Sequence, residues 1–130
     1  MTNAAPNIEP PRALRVLVVD DEPQVRELLT AALTHEGHSV EVANEGAEGL
    51  RRFTTGTFDL VITDKAMPVM SGDQMASAIK EVAPKMPIIL LTGFAQFLDL
   101  EKLPGIDVIA NKPISIPALR NAIATAMQAA

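Results

Sequence analysis

Five strand-length apolar runs, each followed by a segment of different periodicity, constrain this chain more than any other feature. The runs are ALRVLVV (13–19), SVEVA (39–43), FDLVIT (58–63), PIILLT (87–92) and IDVIA (106–110). The first, third and fourth are nearly continuous in Val, Ile and Leu, as strands covered on both faces require. The second alternates, which suits a strand at a sheet edge. After the first run, Val25, Leu28, Leu29, Ala32 and Leu33 share one helix face, with Pro23 in the first turn and Gly37 as a stop signal. Met75, Ile79 and Val82 form a stripe that Pro84 ends, and Ser115 caps a last helix carrying Leu119, Ile123, Ala126 and Met127. Residues 46–54 read as a short helix, and 95–103 leave room for about two turns before Pro104 and Gly105. Such alternation predicts one α/β domain: a doubly wound, five-stranded parallel sheet with helices on both faces, because parallel neighbours need covered crossovers.

Composition removes several classes of function. The net charge is -5 and the only aromatics are four Phe, so bulk attraction to nucleic acid or an anionic membrane, and base stacking, are not expected. No apolar run approaches the ~20 residues of a membrane span, and the polar, proline-rich N-terminus has no signal-peptide core. Residues 1–12 read as a disordered arm or linker, residues 13–130 as the domain, and the expected location is cytoplasmic. Cysteine is absent, which excludes disulfides and thiolate metal sites. His35 and His38 bracket a turn without a third ligand and are expected at the surface, whereas Met67, Met70 and Met75 are expected to pack.

In doubly wound sheets, ligands sit beyond the carboxyl ends of the strands. Here the first strand runs into Asp20 and Asp21, the third into Asp64, the fourth into Thr92–Gly93 and the fifth into Lys112–Pro113. Alone, each is ordinary: a helix cap, a solvated acid, a turn, a surface lysine. Together they place three carboxylates on one rim, where each pair at ~4 Å costs about 4 kcal/mol at an effective dielectric near 20. A divalent cation and Lys112 would relieve that repulsion. An all-oxygen donor set with few carboxylates suits Mg²⁺. A metal and a lysine beside a carboxylate also suit a phosphoryl group, with Thr92 as a hydroxyl donor and Gly93 leaving its N–H approachable. The chemistry suggested is attack of Asp64 on phosphorus to give an aspartyl phosphate.

The segments VVDDEP (18–23), VITDKAMPVMSG (61–72), LLTG (90–93) and NKP (111–113) together resemble the receiver domain of bacterial two-component response regulators. The resemblance covers about residues 14–129 and implies a flavodoxin-like sheet of order 2-1-3-4-5. It implies that Asp64 is the phosphoacceptor, that Asp20, Asp21, Asp64 and the Ala66 carbonyl hold Mg²⁺, and that Thr92 and Lys112 meet the phosphoryl group. It further implies that Met67, Pro68 and Gly72 shape the loop before the third helix and that Lys112–Pro113 is cis. The expected partner is a sensor histidine kinase or a histidine phosphotransfer protein, and the expected state is a monomer or a weak phosphorylation-dependent dimer. The chain is expected to be a stand-alone receiver, a relay intermediate or the receiver of a hybrid kinase, with TDKAMPVMSGDQMA and TGF favouring the last.

Two departures matter. The fifth-strand position that is usually Tyr or Phe is Ile109, and segment 94–105 is short for the family's fourth helix, so Phe94 and Phe97 become candidates for the moving apolar groups of the switch. Ala66, two residues past Asp64, cannot orient water by its side chain. An aspartyl-phosphate phosphotransferase or phosphatase is the enzymatic alternative, but it would want an acid where Ala66 stands. A third alternative is a receiver-like interaction module that works without phosphorylation. Turnover of an external substrate is not expected.

Overall fold

The computed structural model describes residues 13–129; the arm expected over residues 1–12 lies outside them. Strands β1 (Arg15–Val19), β2 (Ser39–Ala43), β3 (Leu60–Asp64), β4 (Ile88–Thr92) and β5 (Val108–Asn111) form one parallel sheet in the order β2-β1-β3-β4-β5. Crossovers are made by α1 (Pro23–His35), α2 (Gly46–Thr55) and α3 (Gly72–Val82), and α4 (Ile116–Ala129) follows β5. The strand order is the flavodoxin-like one expected, with β2 at the edge that its alternating sequence indicates.

Period-two alternation splits the strand residues between two cores. Val16, Val18, Ile62, Ile89 and Leu91 face α1 and α4, meeting Leu29, Leu33, Leu119 and Ile123. Leu17, Val19, Val61, Ile88 and Leu90 face α2 and α3, meeting Met75 and Ile79. Burying each large aliphatic side chain contributes roughly 1.5–3 kcal/mol, so the central strands anchor the fold. Met67 and Met75 are buried and Met70 packs against the same core, as expected of packing methionines.

All strands but β2 begin later than their apolar runs, and for β3 and β5 an aspartate is the reason. The Asp59 carboxylate accepts the Arg15 N–H at 2.9 Å, and that of Asp107 accepts the Ile88 N–H at 2.9 Å while pairing with Lys80 at 2.8 Å. A side chain replaces a ladder bond in each case, so β3 and β5 start after the aspartate. The crossover from β4 to β5 contains only two single 3-10 turns, Ala95–Phe97 and Leu100–Lys102. With no full helix there, β5 stays half-buried.

Helix α1 ends with Gly37 at φ 96°, a backbone region that side chains disfavour. The Gly37 N–H donates to the Thr34 carbonyl and that of His38 to the Leu33 carbonyl, satisfying the last helical acceptors. This motif turns His38 inward, contrary to the surface position expected: it is 7% exposed, and its Nδ1 accepts the Leu14 N–H at 3.0 Å. His35 is exposed as expected.

Burial holds the His38 imidazole below its ordinary pKa, with the Glu36 charge opposing weakly. The unfolded chain therefore takes up a proton here first as pH falls through about 6.5, and folding loses stability down to the lower folded pKa. Urea unfolding between about pH 8 and pH 5 is expected to show this loss in the wild type, with a shallower slope in His38→Gln.

Candidate functional site

Strand register brings the acids together. Val19 pairs with Thr63, so Asp20 leaves β1 where Asp64 closes β3. Asp64 pairs with Leu91, and Thr92 pairs with Asn111 one residue before Lys112. The Lys112 N–H donates to the Thr92 carbonyl at 2.9 Å, and the Lys112–Pro113 bond is cis. Asp20, Asp21 and Asp64 each offer an oxygen within 4.8 Å of the others. Asp20 and Asp64 are buried, whereas Asp21 is exposed.

Lys112 Nζ stands 2.9 Å from Asp20 Oδ2, 3.0 Å from Asp64 Oδ1 and 3.2 Å from Glu22 Oε1. Burial pulls the Lys112 pKa down, but the Asp20 and Asp64 carboxylates outweigh it and hold it above its ordinary value. Burial pushes the Asp64 carboxyl above the usual carboxylate range; Lys112 opposes this, and the Asp20 charge adds to it. An ammonium in place of one more like charge is what makes this rim tolerable.

A divalent cation fits here on one specific ground. Asp20 Oδ1 is occupied by the Glu22 N–H at 2.9 Å, but the buried Oδ2 accepts no hydrogen bond and has only the unaligned ion pair with Lys112. With one ion pair and no hydrogen bond, that buried oxygen keeps a lone pair open to a further cation. The donor set is hard and anionic, as Mg²⁺ prefers.

Thr92, Gly93, Ala66 and Phe94 line the same open cleft as Asp64 and Lys112. Thr92 is buried, and its Oγ1 accepts the Phe94 N–H at 3.2 Å. Phe94 and Phe97 are 66% and 77% exposed, and Ile109 lies on β5 packed against the α2–α3 core. Gly93 has open space where a Cβ would stand, so the approach to its N–H does not depend on the absent side chain.

Gly72 is different. A Cβ there would overlap the Asp64 carbonyl oxygen, and the Gly72 N–H donates to the Lys65 carbonyl at 2.8 Å. The start of α3, held by a capping box between Ser71 and Gln74, is thus pressed against the backbone of Asp64. Pro68 is exposed in the intervening loop, where Val69 has φ 71°, a strained conformation for a β-branched residue.

Three contributors, Glu22, Arg26 and Asn111, were not singled out from the sequence. Glu22 meets Lys112; Arg26 Nη1 donates to the Asp20 carbonyl at 2.7 Å; Asn111 Oδ1 accepts the Ala95 N–H at 3.1 Å. Lys65 lies 3.7 Å from Asp73, turned towards the start of α3. Glu22 and Asn111 sit inside VVDDEP and NKP, and that adjacency was the available signal.

The sequence model of the response regulator receiver domain matches residues 16–124. The transcriptional regulatory protein GlrR of Escherichia coli is 40% identical over 115 residues, which is 87% of this chain and 26% of GlrR. The sensor protein EvgS of Escherichia coli is 32% identical over 122 residues, 92% of this chain and 10% of EvgS. The chain therefore spans about a quarter of one of these curated relatives and a tenth of the other. A receiver domain structure from Clostridium thermocellum matches with TM-score 0.78 at 34% identity, covering 88% of this chain and 94% of that one. The response regulator TrrA of Thermotoga maritima, in complex with Mg(2+)-BeF, matches with TM-score 0.79 at 37% identity, covering 86% and 97%.

Replacing Gly72 by Ala is expected to destabilise the fold by about 1–3 kcal/mol in urea unfolding, through overpacking against Asp64. Gly93→Ala is expected to leave stability within about 0.5 kcal/mol of wild type.

Proposed function

Because this chain belongs to the response regulator receiver domain family, we propose that residues 13–130 accept a phosphoryl group on Asp64 and signal by the change that follows. The observation that carries the reading is the meeting of Lys112 Nζ with both Asp64 and Asp20 beside a three-carboxylate cluster. Lys112 opposes the burial that raises the Asp64 pKa, and the ionised carboxylate is the nucleophile. An Asp64 oxygen forms the new O–P bond as the N–P bond of a phosphohistidine breaks. The imidazole leaves with the electron pair and takes a proton from solvent.

Asp20, Asp21 and Asp64, with the Ala66 carbonyl, would hold Mg²⁺, which supplies positive charge for the phosphoryl oxygens. Lys112 would pair with one of those oxygens and the Thr92 hydroxyl would donate to another. The donor is a sensor histidine kinase or a histidine phosphotransfer protein. Ala66 puts a methyl group where a hydrolytic enzyme would want an acid, so we read a signalling domain rather than a turnover enzyme. The charge argument against nucleic acid applies to these 130 residues alone.

The switch would run through Thr92. Its Oγ1 now holds the Phe94 N–H, while Asn111 holds that of Ala95. Movement of Thr92 onto a phosphoryl group of charge near -2 would release Phe94 and loosen the exposed turn that carries Phe94 and Phe97. Ile109 offers an apolar neighbour on β5 instead of a rotating ring.

Incubation with Mg²⁺ and a small phosphodonor is expected to add one phosphoryl mass to wild type and none to Asp64→Asn; equal labelling of both would refute the assignment. Phosphorylation is expected to shift the Phe94 amide resonance, and Thr92→Val is expected to keep the mass adduct while losing that shift.

A further inference from the structure

Lys112 meets a third acid that belongs to no cation cluster. Asp20, Asp21 and Asp64 form the divalent site, whereas Glu22 lies outside it with its side chain 60% exposed. Yet of the three contacts to Nζ, the one aligned as a hydrogen bond is to Glu22 Oε1, at 3.2 Å and across 90 positions of chain. Glu22 is also the N-cap residue of α1, and its side chain makes no capping bond. An N-cap acid would ordinarily be drawn to the free helix amides. Here its carboxylate reaches over the rim to the lysine.

Both ends of this contact are fixed to the site. The Glu22 N–H donates to Asp20 Oδ1 at 2.9 Å, and the Lys112 N–H donates to the Thr92 carbonyl at 2.9 Å. An ammonium has three donors, and three carboxylates face it. Two of those, Asp20 and Asp64, are carboxylates that a divalent cation would also take. An ammonium and a dication drawn to the same carboxylates repel strongly in a half-buried site. Lys112 therefore needs somewhere to go when the metal enters.

Resting on the reading that the three aspartates take Mg²⁺, we propose that Glu22 is a positioning residue that anchors Lys112 when a divalent cation claims Asp20 and Asp64. Lys112 pivots towards Glu22 without leaving the rim, and remains beside Asp64 for the phosphoryl group. Without that anchor, Lys112 stays between the aspartates and competes with the metal.

The test is calorimetric titration of the full chain with Mg²⁺, for wild type, Glu22→Gln and Glu22→Asp, and for the same three with Lys112→Met. Glu22→Asp keeps the charge but withdraws the carboxylate by one methylene. Both Glu22 variants are expected to bind Mg²⁺ about two- to fivefold more weakly than wild type, the range an exposed ion pair supports. In the Lys112→Met background, Glu22→Asp is expected to have no effect. Wild-type affinity in Glu22→Asp would overturn the proposal, because charge alone would then suffice. So would a loss that persists without Lys112. Thermal melts identify any variant that does not fold, and should Lys112→Met fail, the comparison of wild type with Glu22→Asp decides by itself. Absence of Mg²⁺ binding to wild type would refute the metal reading and this proposal with it, whereas normal binding by all variants would remove only the role of Glu22.

Discussion

One ammonium among like charges is the constraint on which this site depends. Asp20, Asp64 and Lys112 arrive from β1, β3 and β5, and parallel pairing alone aligns their strand ends. The acids repel, and burial raises the cost of ionising them. Lys112 offsets that cost only because the order β2-β1-β3-β4-β5 brings the fifth strand's end across the fourth to meet the first and third. Loss of the register by one residue would turn each of these side chains to the opposite face.

The surroundings of Asp64 are unequal in stiffness. On one side, β3 is buried along its whole length, and α3 is pressed against the Asp64 carbonyl through Gly72. On the other, a crossover of two 3-10 turns covers β5 incompletely and leaves Phe94 and Phe97 in solvent. Segments with few buried contacts open at low free energy. A buried carboxylate held by a rigid wall and facing a loosely held turn through Thr92 can pass a change of local charge to the surface.

Much of this was readable along the chain. The apolar runs foretold all five strands, because burial on both faces of a parallel sheet leaves a continuous aliphatic signature. The helix at Pro23, its end at Gly37 and the cap at Ser115 follow from local backbone chemistry in the same way. Side chains that act at a distance were less visible. Asp59 and Asp107 shorten their strands by taking amides of neighbouring strands, which no local pattern announces. His38 reads as a polar residue after a helix, yet the turn at Gly37 aims it at Leu14. Gly93 carries no steric demand, whereas Gly72 does, and only the packed neighbours distinguish them.

Composition and periodicity were enough to dictate an α/β sheet and the kinds of side chain at its strand ends, because solvent exclusion and backbone preference act over a few residues. Which of those ends would touch, at what distance, and with which bystanders was settled by folding. Asp20 Oδ2 acquired a lysine and no hydrogen bond, and Glu22 left its helix amides for a residue 90 positions away. Coulomb forces depend on separation in space, and separation in space is a property of the assembled sheet rather than of the order of residues.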